Sequence, residues 1–239
     1  MNVTLTPVSP CGTLPSIASK SAAHRLLICA AFADTPTKIR CEQINEDIEA
    51  TVDCLSALGA TVIRNAPFYL VTPIQSLPQK AILPCKESGS TLRFFVPIVA
   101  ALGISASFEM AGRLPLRPLS PLREELEAKG ISFSPVGSNP LVMEGRLRGN
   151  DFTVPGNVSS QFISGMLFAL CLCRNGGKLC VTGKAESLPY IDLTRDALTA
   201  FGGRILCDET EAGRIYTVLP REGKTPDHVQ VEGDWSNAA

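Results

Sequence analysis

Ser159, Ser160 and Gln161 stand directly before twelve residues, Phe162 to Cys173, that carry no charge. The arrangement occurs twice earlier in the chain. Lys20, Ser21 and Arg25 lead into "LLICAAFA", and Gly89, Ser90 and Arg93 lead into "FFVPIVAALG". The first turn of a helix exposes unpaired N–H groups and a partial positive charge, so it attracts anions. Serine hydroxyls, a lysine and arginines at such a mouth add donors and charge, and Gly89 lets the backbone approach a ligand closely. Serine is also a preferred helix cap, so one such loop alone reads as structural. Three in register, two of them carrying a cation, point to a pocket for a small phosphorylated molecule.

A metal centre does not fit this inventory. The chain has nine cysteines but only two histidines, His24 and His228. Cys29, Cys54, Cys171, Cys173 and Cys180 lie in apolar runs, where cysteine packs as a small hydrophobe. No CxxC occurs, so no zinc site is expected.

The elements that must position these residues follow a repeat. After each apolar helix comes a short strand candidate: "TKIRCEQI", "SASFEMAG" and "KLCVTGKA". A more amphipathic helix follows: "EDIEATVDCLSALGA", "LSPLREELEAKGI" and "YIDLTRDALTAFGG". These helices end at Gly59, Gly130 and Gly202, 71 and 72 residues apart, each suited to a left-handed cap. Two strand candidates then close each unit. The three apolar helices carry hydrophobic residues on nearly all sides and should therefore be buried. The expected fold is α/β: three βαβαββ-like units of about 16–80, 81–150 and 151–228, with parallel helices inside and sheets outside. The tail "GDWSNAA" reads as the opening of a fourth unit led by Ser236.

Composition narrows the partners. Net charge is -1, with no basic stripe for nucleic acid. The longest uncharged apolar run is too short to span a bilayer, and "MNVTLTPVSP" lacks the features of a signal peptide. A cytoplasmic protein is expected, and an odd cysteine count suits a reducing compartment.

"SKSAAHR", "ESGSTLRFF", "GRLPLRPLSPL", "VPGNVSSQF" and "SLPYIDLT", in that order along nearly the whole chain, resemble the 5-enolpyruvylshikimate-3-phosphate synthase family, also called 3-phosphoshikimate 1-carboxyvinyltransferases. The resemblance implies an inside-out, barrel-like enolpyruvyl transferase domain and transfer of the enolpyruvyl group from phosphoenolpyruvate to the 5-hydroxyl of shikimate 3-phosphate. It implies that Lys20, Ser21, Arg25, Ser159, Ser160, Gln161 and Ser187 bind shikimate 3-phosphate. Lys20, Gly89, Arg117 and Gln161 would bind phosphoenolpyruvate, and the resemblance implies no metal and no organic cofactor. Family members have two such domains with the ligands between them. Residues 1–15 would then belong to the other domain, 16–228 would form one domain, and 229–239 would begin the crossover to the second. The acid/base carboxylates lie on that second domain, so no catalytic residue is assigned here and the chain should act as a monomer that binds without turnover.

The chain departs from the family pattern at one loop. Glu87-Ser88-Gly89-Ser90 stands where many members have Asn-Ala-Gly-Thr, which puts a carboxylate beside an anion site. Glu87 would either face away or be offset by Lys86. Two alternatives stand beside this reading. The sister enolpyruvyl transferase acting on UDP-N-acetylglucosamine normally needs a reactive cysteine in the "EMAGRLPLRPL" region, and no cysteine lies between Cys85 and Cys171. A non-catalytic anion-binding module would use the same repeat.

Overall fold

The structure is a computed structural model that describes residues 12, 16–42 and 45–234. The expected N-terminal segment 1–15, Gly12 apart, and the Ser236 lead fall outside those residues. The first unit comprises α1 (Lys20–Ala31), β1 (Thr37–Arg40), α2 (Glu46–Ala57), β2 (Thr61–Asn65) and β3 (Phe68–Thr72). The second runs through β4 (Lys80–Lys86), α3 (Gly89–Leu102), β5 (Ser105–Met110), α4 (Leu122–Ala128), β6 (Ile131–Phe133) and β7 (Leu141–Gly145). The third comprises β8 (Asp151–Pro155), α5 (Ser160–Leu172), β9 (Gly177–Thr182), α6 (Leu188–Ala200), β10 (Arg204–Thr210) and β11 (Gly213–Leu219). One further strand, β12 (His228–Gln230), follows.

Each unit builds one four-stranded sheet, ordered β12-β1-β3-β2, β4-β5-β7-β6 and β10-β11-β9-β8. In units two and three the strand before the apolar helix pairs in parallel with the strand after it, β4 with β5 and β8 with β9. Unit one obtains that strand from the far end of the chain, where β12 lies parallel to β1 with Lys38 opposite His228. β12 thus spans the expected 228/229 division and belongs to the sheet of unit one. The helix-ending glycines adopt the left-handed conformation, with φ of 105° at Gly59, 95° at Gly130 and 83° at Gly202.

The sheets are outside and the apolar helices inside. β4 shows the consequence: Ala81, Leu83 and Cys85 turn inward while Lys80 and Ile82 are exposed. Leu27, Phe95 and Leu167, one per apolar helix, are at most 1% exposed. Their helices meet through a line of rings, His24 edge-on to Phe94 at 6.3 Å and Phe94 on Phe168 at 5.6 Å. The helices α1, α2, α3, α5 and α6 each pack against the next and α6 returns to α1, which closes a ring, whereas α4 packs at the sheet edge against β6 and β8.

Gly165 sets the closest helix contact. A β-carbon there would lie 2.4 Å from the Arg93 carbonyl oxygen and 2.8 Å from Pro97 Cγ. Pro97 lies inside α3 and has no N–H to offer that carbonyl. The bare α-carbon of Gly165 lets α5 lie directly against α3 at this point.

Candidate functional site

Ser19, Ser88 and Ser159 cap α1, α3 and α5, each accepting a backbone N–H of the first turn at 3.3 Å. Each oxygen thus accepts from its helix and keeps its proton to donate elsewhere. Ser187, ahead of α6, behaves differently. It sits at φ 57°, in the left-handed region unusual for a residue with a side chain, and makes no capping bond with its side chain. Ser187 lines a cavity instead.

That cavity, of about 360 Å³, lies where the first turns of α1, α3, α5 and α6 meet. Lys20, Ser21, Arg25, Ser159, Ser160, Gln161 and Ser187 all line it, so one space collects the seven residues expected to bind shikimate 3-phosphate. Ser90, Phe94, Val158, Glu186 and Tyr190 complete the wall. Four helix N-termini facing one space make it electropositive before any side-chain charge is counted.

Arg25 is 2% exposed and mostly spent on the protein. Its Nε donates to Thr194 Oγ1 at 2.6 Å and its Nη1 to the Ser21 carbonyl at 2.6 Å. Nη2 donates to Ser164 Oγ at 3.3 Å and to the Tyr190 carbonyl at 2.8 Å. One of its five N–H groups, on Nη1, is left for the cavity. The guanidinium also stands over the Phe94 ring at 5.1 Å. Burial pulls its pKa down to about 10, and it stays charged at neutral pH.

Lys20 reaches Asp47, Nζ to Oδ2 at 2.7 Å. Burial alone would raise the Asp47 carboxyl, but the bonded Lys20 ammonium, then His24 and the Ser88 hydroxyl, hold it below its usual range.

A second group of donors adjoins the cavity. Arg117 Nη1 lies 2.9 Å from the point where a Gly89 β-carbon would be, so the absent side chain makes room for that guanidinium at the start of α3. Arg93 Nη1 donates to Gln161 Oε1 at 2.7 Å, and Gln161 Nε2 donates to Ser90 Oγ at 2.8 Å. Burial, and then the charge of Arg117, depress the Arg93 pKa. Two cations are thus held side by side with no carboxylate bonded to either among the described residues, an arrangement that favours a bound anion.

Glu87 is held at the loop that follows β5. Its carboxyl group lies over Gly112, against the space a β-carbon would fill. Lys86 does not offset it, because Lys86 pairs with Asp53 at 2.8 Å.

Arg93 was singled out from sequence as a cation at a helix mouth but given no ligand, and Asp47 and Tyr190 were not singled out. Arg93 carried a usable signal: it falls four residues after Gly89, hence on the same face of α3. Asp47 carried none, since its contact with Lys20 spans 27 residues and two helices. No group of three or more potential metal ligands gathers among the described residues. No described helix is long and apolar enough to cross a membrane.

The family model for EPSP synthase (3-phosphoshikimate 1-carboxyvinyltransferase) matches residues 9–239. A 3-phosphoshikimate 1-carboxyvinyltransferase of Clostridium perfringens (strain SM101 / Type A) is 37% identical over 240 residues, covering 99% of this chain and 56% of that protein. One from Clostridium beijerinckii is 36% identical over 252 residues, covering 100% of this chain and 56% of that protein. The chain spans about half the length of these curated relatives. Among solved structures, an EPSP synthase from Acinetobacter baumannii superposes with a TM-score of 0.76 at 21% identity, over 95% of this chain and 51% of that one. That likeness identifies the fold as the inside-out α/β enolpyruvyl transferase fold.

Proposed function

This chain belongs to the EPSP synthase family, and from that premise we propose that it forms the shikimate 3-phosphate-binding half of a 3-phosphoshikimate 1-carboxyvinyltransferase. The observation that carries the reading is the convergence of four helix N-termini on one cavity with Lys20, Arg25 and the serine loops. Shikimate 3-phosphate is a polyanion with several hydroxyls, and this wall offers it cations and hydroxyls in a single space. Phosphoenolpyruvate would sit beside it, against Gly89, Arg93 and Arg117, with Gln161 between the two ligands and Lys20 touching both.

In the proposed reaction the 5-hydroxyl oxygen of shikimate 3-phosphate loses its proton and bonds to C2 of phosphoenolpyruvate, while the C3 methylene gains a proton and becomes a methyl group. The adduct is tetrahedral at C2; loss of a proton from that methyl group then re-forms the double bond as the C–O bond to phosphate breaks and inorganic phosphate leaves. The residues of this chain hold two highly charged reactants together, which proximity rewards and charge repulsion would otherwise oppose. The cavity wall holds one carboxylate, Glu186, with no base bonded to it among the described residues. Glu87 lies on Gly112, and Asp192 pairs with Arg195 at 3.2 Å. Proton transfer, worth about 10²–10⁴-fold per group, is accordingly assigned to a second domain, and this chain alone is expected to bind as a monomer without turnover. The free thiols of Cys29, Cys54, Cys85, Cys171 and Cys207 support a reducing, cytoplasmic setting.

The test is phosphate release from phosphoenolpyruvate plus shikimate 3-phosphate, assayed with this chain alone and with the complementary half of a relative supplied in trans. Activity only on complementation is expected. Robust turnover by the chain alone would overturn the division of labour, and failure of any mixture to react would favour a non-catalytic anion-binding module.

A further inference from the structure

Behind Lys20 lies a run of buried hydrogen bonds that no ligand can touch. His24 Nδ1 is 2.7 Å from Thr51 Oγ1, and Thr51 Oγ1 is 2.8 Å from Thr91 Oγ1. Thr91 Oγ1 is 2.7 Å from Ser88 Oγ and 3.4 Å from the Asp47 carbonyl oxygen. Asp47 then meets Lys20. His24 and Ser88 are 1% exposed, and Thr51 and Thr91 are fully buried. The run links α1, α2 and α3 and crosses from the first unit to the second.

Its direction follows from Thr91. That hydroxyl has one proton, which points to Ser88 Oγ and the Asp47 carbonyl oxygen, so Thr51 donates to Thr91 and His24 Nδ1–H donates to Thr51. This direction leaves His24 Nε2 as a bare acceptor, and that atom has no partner among the described residues. The His24 ring meets Phe94 in a T-shaped contact at 6.3 Å.

We propose that His24, Thr51, Thr91 and Ser88 form a one-way hydrogen-bond relay that positions Asp47, and through it aims the Lys20 ammonium at the mouth of the cavity. They are positioning residues, and the proposal rests on the reading that Lys20 binds the anionic substrates. A lysine has four rotatable bonds to order before it can serve as a fixed cation. Asp47 can hold it only if Asp47 is itself held, and a network whose buried hydroxyls all have partners is rigid.

The test uses NMR of the whole chain with labelled histidine and lysine, with and without shikimate 3-phosphate. In the unmodified protein His24 should show the Nδ1–H tautomer, a reading that needs no variant to fold. Thr91→Val, similar in shape but without the hydroxyl, should shift the Lys20 side-chain signals before ligand is added. It should also weaken shikimate 3-phosphate about fivefold, the loss typical of one hydrogen bond. Thr91→Ser should restore both to within about twofold, which a purely steric role for the threonine would not predict. An Nε2–H tautomer, or Lys20 signals unmoved in Thr91→Val, overturns the relay whatever the ligand does. The expected tautomer and Lys20 shifts without any response to shikimate 3-phosphate support the relay and overturn the functional reading instead.

Discussion

Replacing Gly165 with alanine tests how the two halves of the anion site are spaced. The added β-carbon would lie 2.4 Å from the Arg93 carbonyl oxygen, 2.8 Å from Pro97 Cγ and 3.3 Å from Phe94 Cα. Two of these atoms are backbone and the third is in a rigid ring, so no flexible side chain can yield, and α3 and α5 must separate. Overpacking of this severity costs about 3 kcal/mol, the upper end of the usual range. Alanine returns about 1 kcal/mol of helix propensity. The net loss is about 2 kcal/mol, or a fall in melting temperature of roughly 4–8 °C for a chain of this size. The same separation would stretch the bond between Arg93 on α3 and Gln161 on α5, now 2.7 Å. Calorimetry and urea unfolding measure the first effect, and the Gln161 side-chain amide signals report the second. A melting temperature equal to or above that of the parent protein, with the Gln161 signals unmoved, would refute the packing argument.

Stability should depend on pH through His24. Burial depresses its pKa from 6.5 to about 3, with the nearby Arg25 and Lys20 charges outweighed in part by Asp47. The unfolded chain therefore takes up a proton below pH 6.5 that the folded chain refuses, and stability falls as pH drops. From pH 6.5 to 5 the loss from this group should be about 2 kcal/mol, and His24→Leu should flatten the slope of urea-derived stability over that interval; an unchanged slope would count against a neutral buried histidine. Arg25→Lys should weaken shikimate 3-phosphate by about 10–100-fold, because a lysine cannot bond Thr194, Ser164 and Tyr190 while also reaching the ligand; calorimetric titration checks it, and parental affinity would refute it. Burial raises the Cys29 and Cys54 thiols above their ordinary pKa, so mass spectrometry after alkylation at pH 8 should find both unmodified in the native chain and modified in urea.

Much of the architecture was legible in the sequence because it is written three times. All-round apolar runs marked α1, α3 and α5, and the spacing of Gly59, Gly130 and Gly202 marked the ends of their partner helices. β12 was not legible, since three residues carry too little pattern to reveal a pairing with a strand 190 positions earlier. The site was readable where chemistry is local, in hydroxyls and cations beside helix starts. What escaped was any feature created by contact between units. Nothing near Arg25 in the sequence reveals that Thr194 and Ser164 hold it, at separations of 169 and 139 residues. The pairing of Lys86 with Asp53 likewise depends on how α2 lies against β4.

The strand that completes the first sheet also fixes the topology of unfolding. Repeats stacked in an open row can fray from one end, each depending only on its neighbour. Here β12 closes the row into a circuit, and the chain enters and leaves it at one seam. Ser19 N donates to the Glu232 carbonyl at 2.8 Å, and Asp234 N to that of Ile17 at 2.7 Å. With no terminal repeat there is no natural place for loss of structure to begin, so residues 16–234 should melt as one cooperative unit. The same seam makes the domain a candidate for circular permutation. Joining position 16 to position 234 and opening the chain between two units would preserve every sheet, whereas removing three residues at β12 would leave β1 with an open edge.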